Sequence, residues 1–245
     1  MPKMYNLTMS IQSRRACLMG VAAAGILAIA CVLFQLPTPS WAEDAVIVPV
    51  PALTETQHAA MGDERAVLAG GCFWGVQAVF QHVKGVKNVI SGYAGGKADT
   101  ALYETVSTGS TGHAESVEIT FDPQVINYAT ILQVYFSVAH NPTELNYQGP
   151  DSGTQYRSAV FPATDTQKQV AEAYIKQLGN GGVFPNPIVT SIEMAKTFYP
   201  AEDYHQDYAT LHPDNPYIAI NDLPKVENLS RLFPSLYNPK AKLVK

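Results

Sequence analysis

The chain has 245 residues, 47% of them hydrophobic and 15% charged, which is enough for one sizeable core. Sixteen basic against 21 acidic side chains leave a formal charge of −5, and no Lys/Arg-rich run interrupts that balance, so nucleic acid is excluded as an expected partner. Residues 1–42 read as an export signal: Arg14-Arg15 precede a long apolar run, and Ser40 and Ala42 are the small residues expected before cleavage after Ala42. Ser13-Arg14-Arg15 with Leu18 has the form of a twin-arginine signal. The alternative is a retained anchor over residues 16–36, long enough to cross a bilayer. Export places the mature protein in the periplasm or another extracytoplasmic compartment. It also leaves Cys72 as the one mature cysteine, because Cys17 and Cys31 lie in the signal.

Residues 43–64 show no sustained period and contain prolines, so they are expected to be a linker or extended arm ahead of a domain over 65–220. "RAVLAGG" is a short apolar run closed by glycines and predicts a buried strand. Val76, Val79, Phe80 and Val83 follow at helical spacing, with Gly85 ending the helix. "VKNVISGYAGG" predicts a second strand, and "SVEITF", which alternates Val117, Ile119 and Phe121 with polar residues, a third. From Tyr128 the apolar positions resume the helical period, until the polar loop "HNPTELNYQGPDSGTQ" leads to the strand "YRSAVF". The order strand, helix, strand, strand, helix, strand predicts a two-layer α/β fold: a ferredoxin-like split βαβ core with a mixed sheet. Beyond it, Thr164 and Gln167 form a candidate capping box for a helix through Leu178, and "PIVTSIEM" is a further short strand. "FYPAEDYHQDYATLHPDNPY" is a short helix with an acidic start inside an aromatic-rich segment, and 221–245 is an extension of little periodicity.

Cys72 sits in "AGGCFWG" at a strand-to-helix junction, where unpaired N–H groups and the helix dipole favour an anion. A thiolate is therefore expected to be stabilised there, with Gly70, Gly71 and Gly75 leaving the approach uncrowded. Phe73 and Trp74 offer an apolar platform for a substrate side chain. A cysteine that only fills core needs none of those glycines. His113 and His140 are expected to be structural loop histidines, so acyl transfer by a Cys-His pair lacks a marked partner. His205 lies near Glu202, Asp203 and Asp207, but no further His or Cys stands at ligand spacing, and no metal is expected. A non-enzymatic reading, a module that grips exposed methionines through Phe73 and Trp74, differs from either enzyme in not needing the sulfur of Cys72.

"GCFWG", "GYAGG", "TGHAE", "FDP" and "GTQYRS", in this order, resemble the peptide methionine sulfoxide reductases of the A class over about residues 66–217. The resemblance implies an α/β core of the split βαβ kind, a monomer, and reduction of the S epimer of methionine sulfoxide to methionine in oxidised proteins or peptides. It implies Cys72 as nucleophile, Glu115 as acid, Tyr103 and Tyr156 as hydrogen-bonding tyrosines, Phe73 and Trp74 as the aromatic pocket, and Asp151 as a polar residue at its rim. The chemistry suits those types: sulfur attack on a sulfoxide pushes charge onto oxygen, which then needs donors and a proton. Many relatives carry further cysteines that attack the sulfenic acid; here Ser107 stands where some have one, and "SLYNPKAKLVK" has none. A one-cysteine cycle follows, with no bound cofactor and with regeneration by an external thiol, a thioredoxin-like protein or a small dithiol.

Overall fold

The structure is a computed structural model that describes residues 45–54, 62–194 and 197–244; the signal and anchor readings of residues 1–42 lie outside the described residues. Three strands come first, β1 (Glu64–Gly70), β2 (Val86–Ala94) and β3 (Ala114–Phe121). A small hairpin of β4 (Tyr147–Gln148) and β5 (Asp151–Ser152) follows, then β6 (Ser158–Phe161), β7 (Ser191–Ile192) and β8 (Phe198–Pro200). The main sheet runs β7-β6-β1-β3-β2-β8. Its central four strands pair antiparallel in the order β6-β1-β3-β2, the split βαβ arrangement, and β7 adds a parallel pair at one edge, making the sheet mixed.

Alternation along β1 decides which residue faces which layer. Ala66 and Leu68 belong to the main core together with Val117, Ile119 and Phe121 of β3, whereas Val67 and Ala69 point to the other face. Among the described residues the apolar cluster on that second face is small: Ala69, Ala94, Ala114, Ala159 and Phe161, with Val67 and Phe198 against them. The larger core is closed by the helices. Helix α1 (Phe73–Gln81) buries Val76, Val79 and Phe80, and each large apolar side chain so removed from water is worth about 1.5–3 kcal/mol. It ends at His82; Gly85, at φ +90°, then turns the chain where a Cβ would stand 2.6 Å from Ile126.

Helix α2 (Tyr103–Val106) is a single turn between β2 and β3. Helix α3 (Tyr128–Val134) starts on an Asn127 cap, whose Oδ1 accepts from Thr130 N at 2.8 Å, and widens into a π turn over Tyr135–Ala139. Helix α4 (Asp165–Asn180) is capped by Thr164, which accepts from Gln167 N at 3.1 Å. The Gln167 side chain reaches back to Ala163 N, one residue before the cap, and donates to Arg65 O of β1, tying helix to sheet.

Three segments differ from the sequence expectation. Residues 45–52 of the expected linker dock as a strap: Val48 is buried, its N–H donates to Ser137 and its carbonyl accepts from Gln133, while Tyr174 and Gln177 of α4 bind Pro49 and Val50. The "FYP" of the aromatic-rich segment is β8, paired with β2 through Tyr93 and Tyr199. The extension 221–245 contains helix α6 (Leu223–Leu232), which follows the single turn α5 (Tyr208–Leu211) in the chain; its Leu229 is fully buried and its Val226 and Leu232 pack on the same core. Pro224 lies in its first turn, where proline is compatible with a helix although it reads as a breaker in isolation.

Candidate active site

Strand β1 delivers Cys72 to one end of the sheet, where the cysteine becomes the N-cap of α1. The glycines around it are not clearances. A Cβ on Gly70 would meet His140 at 2.9 Å, one on Gly71 (φ +85°) would meet Gln148 at 2.5 Å, and one on Gly75 would meet Asp222 Oδ1 at 2.1 Å. The expectation of an uncrowded approach is thus corrected: the glycines let three side chains pack onto the backbone around the thiol. Cys72 keeps 9% of its surface open.

The same sheet end supplies Glu115. Leu68 pairs with Val117, so two residues on Glu115 comes level with Gly70, and its Oε2 accepts the Phe73 N–H at 3.0 Å. Burial pushes its carboxyl up to about 8; the Phe73 N–H pulls the other way, and Asp151 and Asp222 add to the rise. Glu115 therefore carries its proton at neutral pH. Cys72 moves in the opposite sense to the sequence expectation. Burial pushes its thiol well above its ordinary value, the carboxylates of Asp222 and Asp151, and of Glu115 once it ionises, add to that, and the Trp74 backbone N–H opposes it. The half-charge of a helix end is outweighed by loss of water and by the neighbouring carboxylates, and the resting sulfur is a thiol.

Tyr103 begins α2 and Tyr156 closes a short turn over Thr154–Tyr156. Burial raises both phenols, and both feel Glu115, Cys72 and Asp151, which places the two rings in the field of one site. Glu202 anchors the first of them, accepting Tyr103 N–H and Tyr93 O–H, each at 2.9 Å. Asp151, on β5, accepts a short hydrogen bond from Tyr217.

The aromatic wall follows from α1. Phe73 is buried between Tyr93 and His205, with ring centroids 5.9 and 5.1 Å away. Trp74 is half-buried, stacked on Tyr208 at 4.1 Å and edge-on to Tyr217 at 6.1 Å. His205 sits beneath them, 4.4 Å from the Tyr103 ring, with neither ring nitrogen hydrogen-bonded among the described residues; burial lowers its basicity. All seven residues singled out in the sequence are brought together: Cys72, Glu115, Tyr103, Tyr156, Phe73, Trp74 and Asp151. Sequence reasoning missed Tyr208, Tyr217 and Asp222 and weighed His205 only as a metal ligand; the density of rings in "FYPAEDYHQDYATLHPDNPY" was the available signal for the two tyrosines, and nothing local marked Asp222.

The remaining polar residues hold this frame. His113 accepts Gly96 N–H at Nδ1, which leaves Nε2 to donate to Lys97 O at 2.9 Å. Nε2 of His140 shares a hydrogen bond with Ser158 at 2.7 Å, and Ser158 also joins Tyr135 and Thr190. Arg157 grips Glu193 through two bonds of 2.8 Å and reaches Gly112 O and Thr154 O, joining the loop that leads into β3 to the turn that carries Tyr156. Asp207, expected to favour a helix start, is the N-cap residue of α5, and its side chain accepts from Gln81 and Val244. Among the described residues no cluster of three or more His, Cys, Asp or Glu could hold a metal ion.

Sequence comparison matches residues 64–235 to a family model described as peptide methionine sulfoxide reductase. Peptide methionine sulfoxide reductase MsrA 2 of Mesorhizobium japonicum is 66% identical over 188 residues, 77% of this chain and 96% of the relative. MsrA of Thermus thermophilus is 46% identical over 73% of this chain and all of its own length. Among solved structures, reduced Mxr1 from Saccharomyces cerevisiae superposes with a TM-score of 0.56 at 32% identity, covering 66% of this chain and 93% of its own. Methionine sulfoxide reductase A of Corynebacterium diphtheriae gives 0.52 at 31% identity, covering 73% and 92%.

Proposed function

The chain belongs to the peptide methionine sulfoxide reductase family and reduces methionine sulfoxide to methionine; from the site's geometry we infer how its residues divide that reaction. Cys72 attacks the sulfoxide sulfur and its sulfur takes the oxygen: Cys72–SH and the sulfoxide become Cys72–SOH and the thioether, with the thiol's hydrogen ending on the sulfenic oxygen. Because the resting sulfur is a thiol, its proton leaves before or as the sulfur attacks. Glu115 is the acid that meets the charge growing on that oxygen, and Tyr103 and Tyr156 are the donors that hold it. The oxidised side chain lies on Trp74, walled by Phe73, Tyr208 and Tyr217, with Asp151 at the rim.

The observation that carries this reading is a buried, protonated carboxyl on the first N–H of the helix that Cys72 caps. Restriction to the S epimer rests on the resemblance of the motifs. Cys72 is the one cysteine among the described residues, so two external thiols regenerate the enzyme: the first displaces water from the sulfenic acid and the second releases the disulfide. A thioredoxin-like protein fits that role. The apolar run and the small residues Ser40 and Ala42 support export, which would have the enzyme repair oxidised proteins outside the cytoplasm.

The test is a single turnover. Mature protein mixed with a methionine sulfoxide peptide, without reductant, should form one methionine per enzyme and leave Cys72 as an adduct of a sulfenic-acid trap. Cys72→Ser should form none while still binding the peptide. Peptide cleavage, or methionine formed by Cys72→Ser, overturns the reading.

A further inference from the structure

Asp222 closes the π turn Ile218–Asp222 and is fully buried, yet neither of its carboxylate oxygens has a hydrogen-bond donor among the described residues. Burying a carboxylate without donors is costly. The cation beside it, Lys225 Nζ, stands 3.8 Å away, beyond hydrogen-bond reach. Its position is specific. The carboxyl lies where a Gly75 Cβ would be, and Gly75 is the third residue of α1. Cys72 is the N-cap of α1 and its sulfur faces the backbone N–H of Trp74, the second residue of that helix, while Asp222 lies against the third, so the two side chains share one opening turn. The place that would favour a thiolate already holds a carboxylate.

We propose that Asp222 is a positioning residue that sets the ionisation of Cys72, its carboxylate on the first turn of α1 holding the sulfur as a thiol and so slowing its attack by peroxides and alkylating agents at rest. The inference rests on Cys72 being the reactive sulfur. The other groups facing that sulfur are Glu115 from β3, Asp151 from β5, and the phenols of Tyr103, Tyr156 and Tyr217, with Lys225 of α6 beside Asp222. At pH 7 Glu115 is protonated and Asp151 shares its charge with the Tyr217 hydroxyl. Burial pushes Asp222 up to about 6, with Lys225 opposing that rise, so it is ionised at neutral pH and neutral in mild acid. Sparing the sulfur from oxidants matters in a mature chain whose cycle has one cysteine, because over-oxidation beyond sulfenic acid is irreversible.

The experiment is iodoacetamide alkylation of the full chain across pH 5–9, with the Cys72 peptide quantified by mass so that Cys17 and Cys31 do not contribute. Asp222→Asn should be alkylated about tenfold faster than wild type at pH 7, the effect of lowering the thiol's pKa by about one. Asp222→Leu, which keeps no unsatisfied polar atom, should show the same gain if Asn disturbs folding. The unaltered protein gives an independent reading. Its logarithmic rate should climb less than tenfold per pH unit near pH 6, as Asp222 ionises, and again near pH 8, as Glu115 does. Asp222→Asn should lose only the first shallow region. Variants alkylated no faster than wild type, or a wild-type rate rising tenfold per pH unit through pH 6, overturn the proposal. Because alkylation requires no turnover, failure of the methionine assay would not mimic either result.

Discussion

Glu115 makes the sharpest test of the link between site and stability, because the environment that fits it for proton donation also burdens the fold. Its carboxyl goes from an ordinary 4.5 to about 8 in the folded chain. The folded state therefore holds a proton that the unfolded state releases once pH passes 4.5. This is the reverse of the common salt-bridged carboxylate: stability is intact below pH 4.5 and declines as pH rises, until both states have lost the proton above about 8. At 1.36 kcal/mol per pH unit, the interval from 4.5 to 7 costs roughly 3 kcal/mol. Glu115→Gln keeps the shape and can still accept the Phe73 N–H, but it does not titrate. In urea unfolding, the variant and wild type should differ little in their pH-independent part, and the variant should gain about 2–3 kcal/mol relative to wild type between pH 5 and pH 7. In single turnover the same variant should lose about 10²–10⁴ in rate, the usual contribution of a positioned acid. Wild type should itself slow above about pH 8 as the proton leaves. A stability difference that stays flat from pH 5 to 7 would refute the account, since Glu115 would then titrate as in water.

Gly75→Ala drives a Cβ to 2.1 Å from Asp222 and should cost about 1–3 kcal/mol by overpacking despite alanine's better helix propensity. Gly179→Ala, with nothing within 4 Å inside α4, should instead gain up to about 1 kcal/mol; paired urea titrations check both. Val48→Ala should remove about 2 kcal/mol from a strap that bonds to α3 and α4 and leave single-turnover rates unchanged, measured by thermal unfolding and peptide reduction. Burial pushes His140 down to about 3, so its ring resonances in NMR should stay constant from pH 7 to pH 4, while an ordinary histidine titrates near 6.5.

Much of the scaffold was legible because its signals are local. The alternation of Val117, Ile119 and Phe121 places one face of β3 in the core, and Thr164 with Gln167 marks the start of α4 before any tertiary contact is known. β8 was not legible, since three residues ending in proline have no periodicity of their own and become a strand only by pairing with Tyr93 and its neighbours. Helix α6 was hidden by Pro224 and by a narrow stripe in which only Leu229 is fully buried. Within the site, the placement of Cys72 at the start of α1 could be read from "GGCFWG". Its ionisation could not, because the dipole belongs to adjacent residues whereas the opposing charges come from positions 115, 151 and 222. The glycines carried a related ambiguity: their sequence says that side chains are absent, and only the fold says that His140, Gln148 and Asp222 fill the space.

The aromatic wall also orders events in the life of the chain. Trp74 finds its stacking partner at Tyr208, Asp151 its donor at Tyr217, and Gly75 its lodger at Asp222, all made well after the reactive sulfur during synthesis. A chain cut short before residue 208 would present Cys72 with neither its wall nor its guard. Such a fragment should hold a more acidic thiol than the complete site and bind the substrate side chain less well, so the setting of the sulfur is finished by a segment made well after it.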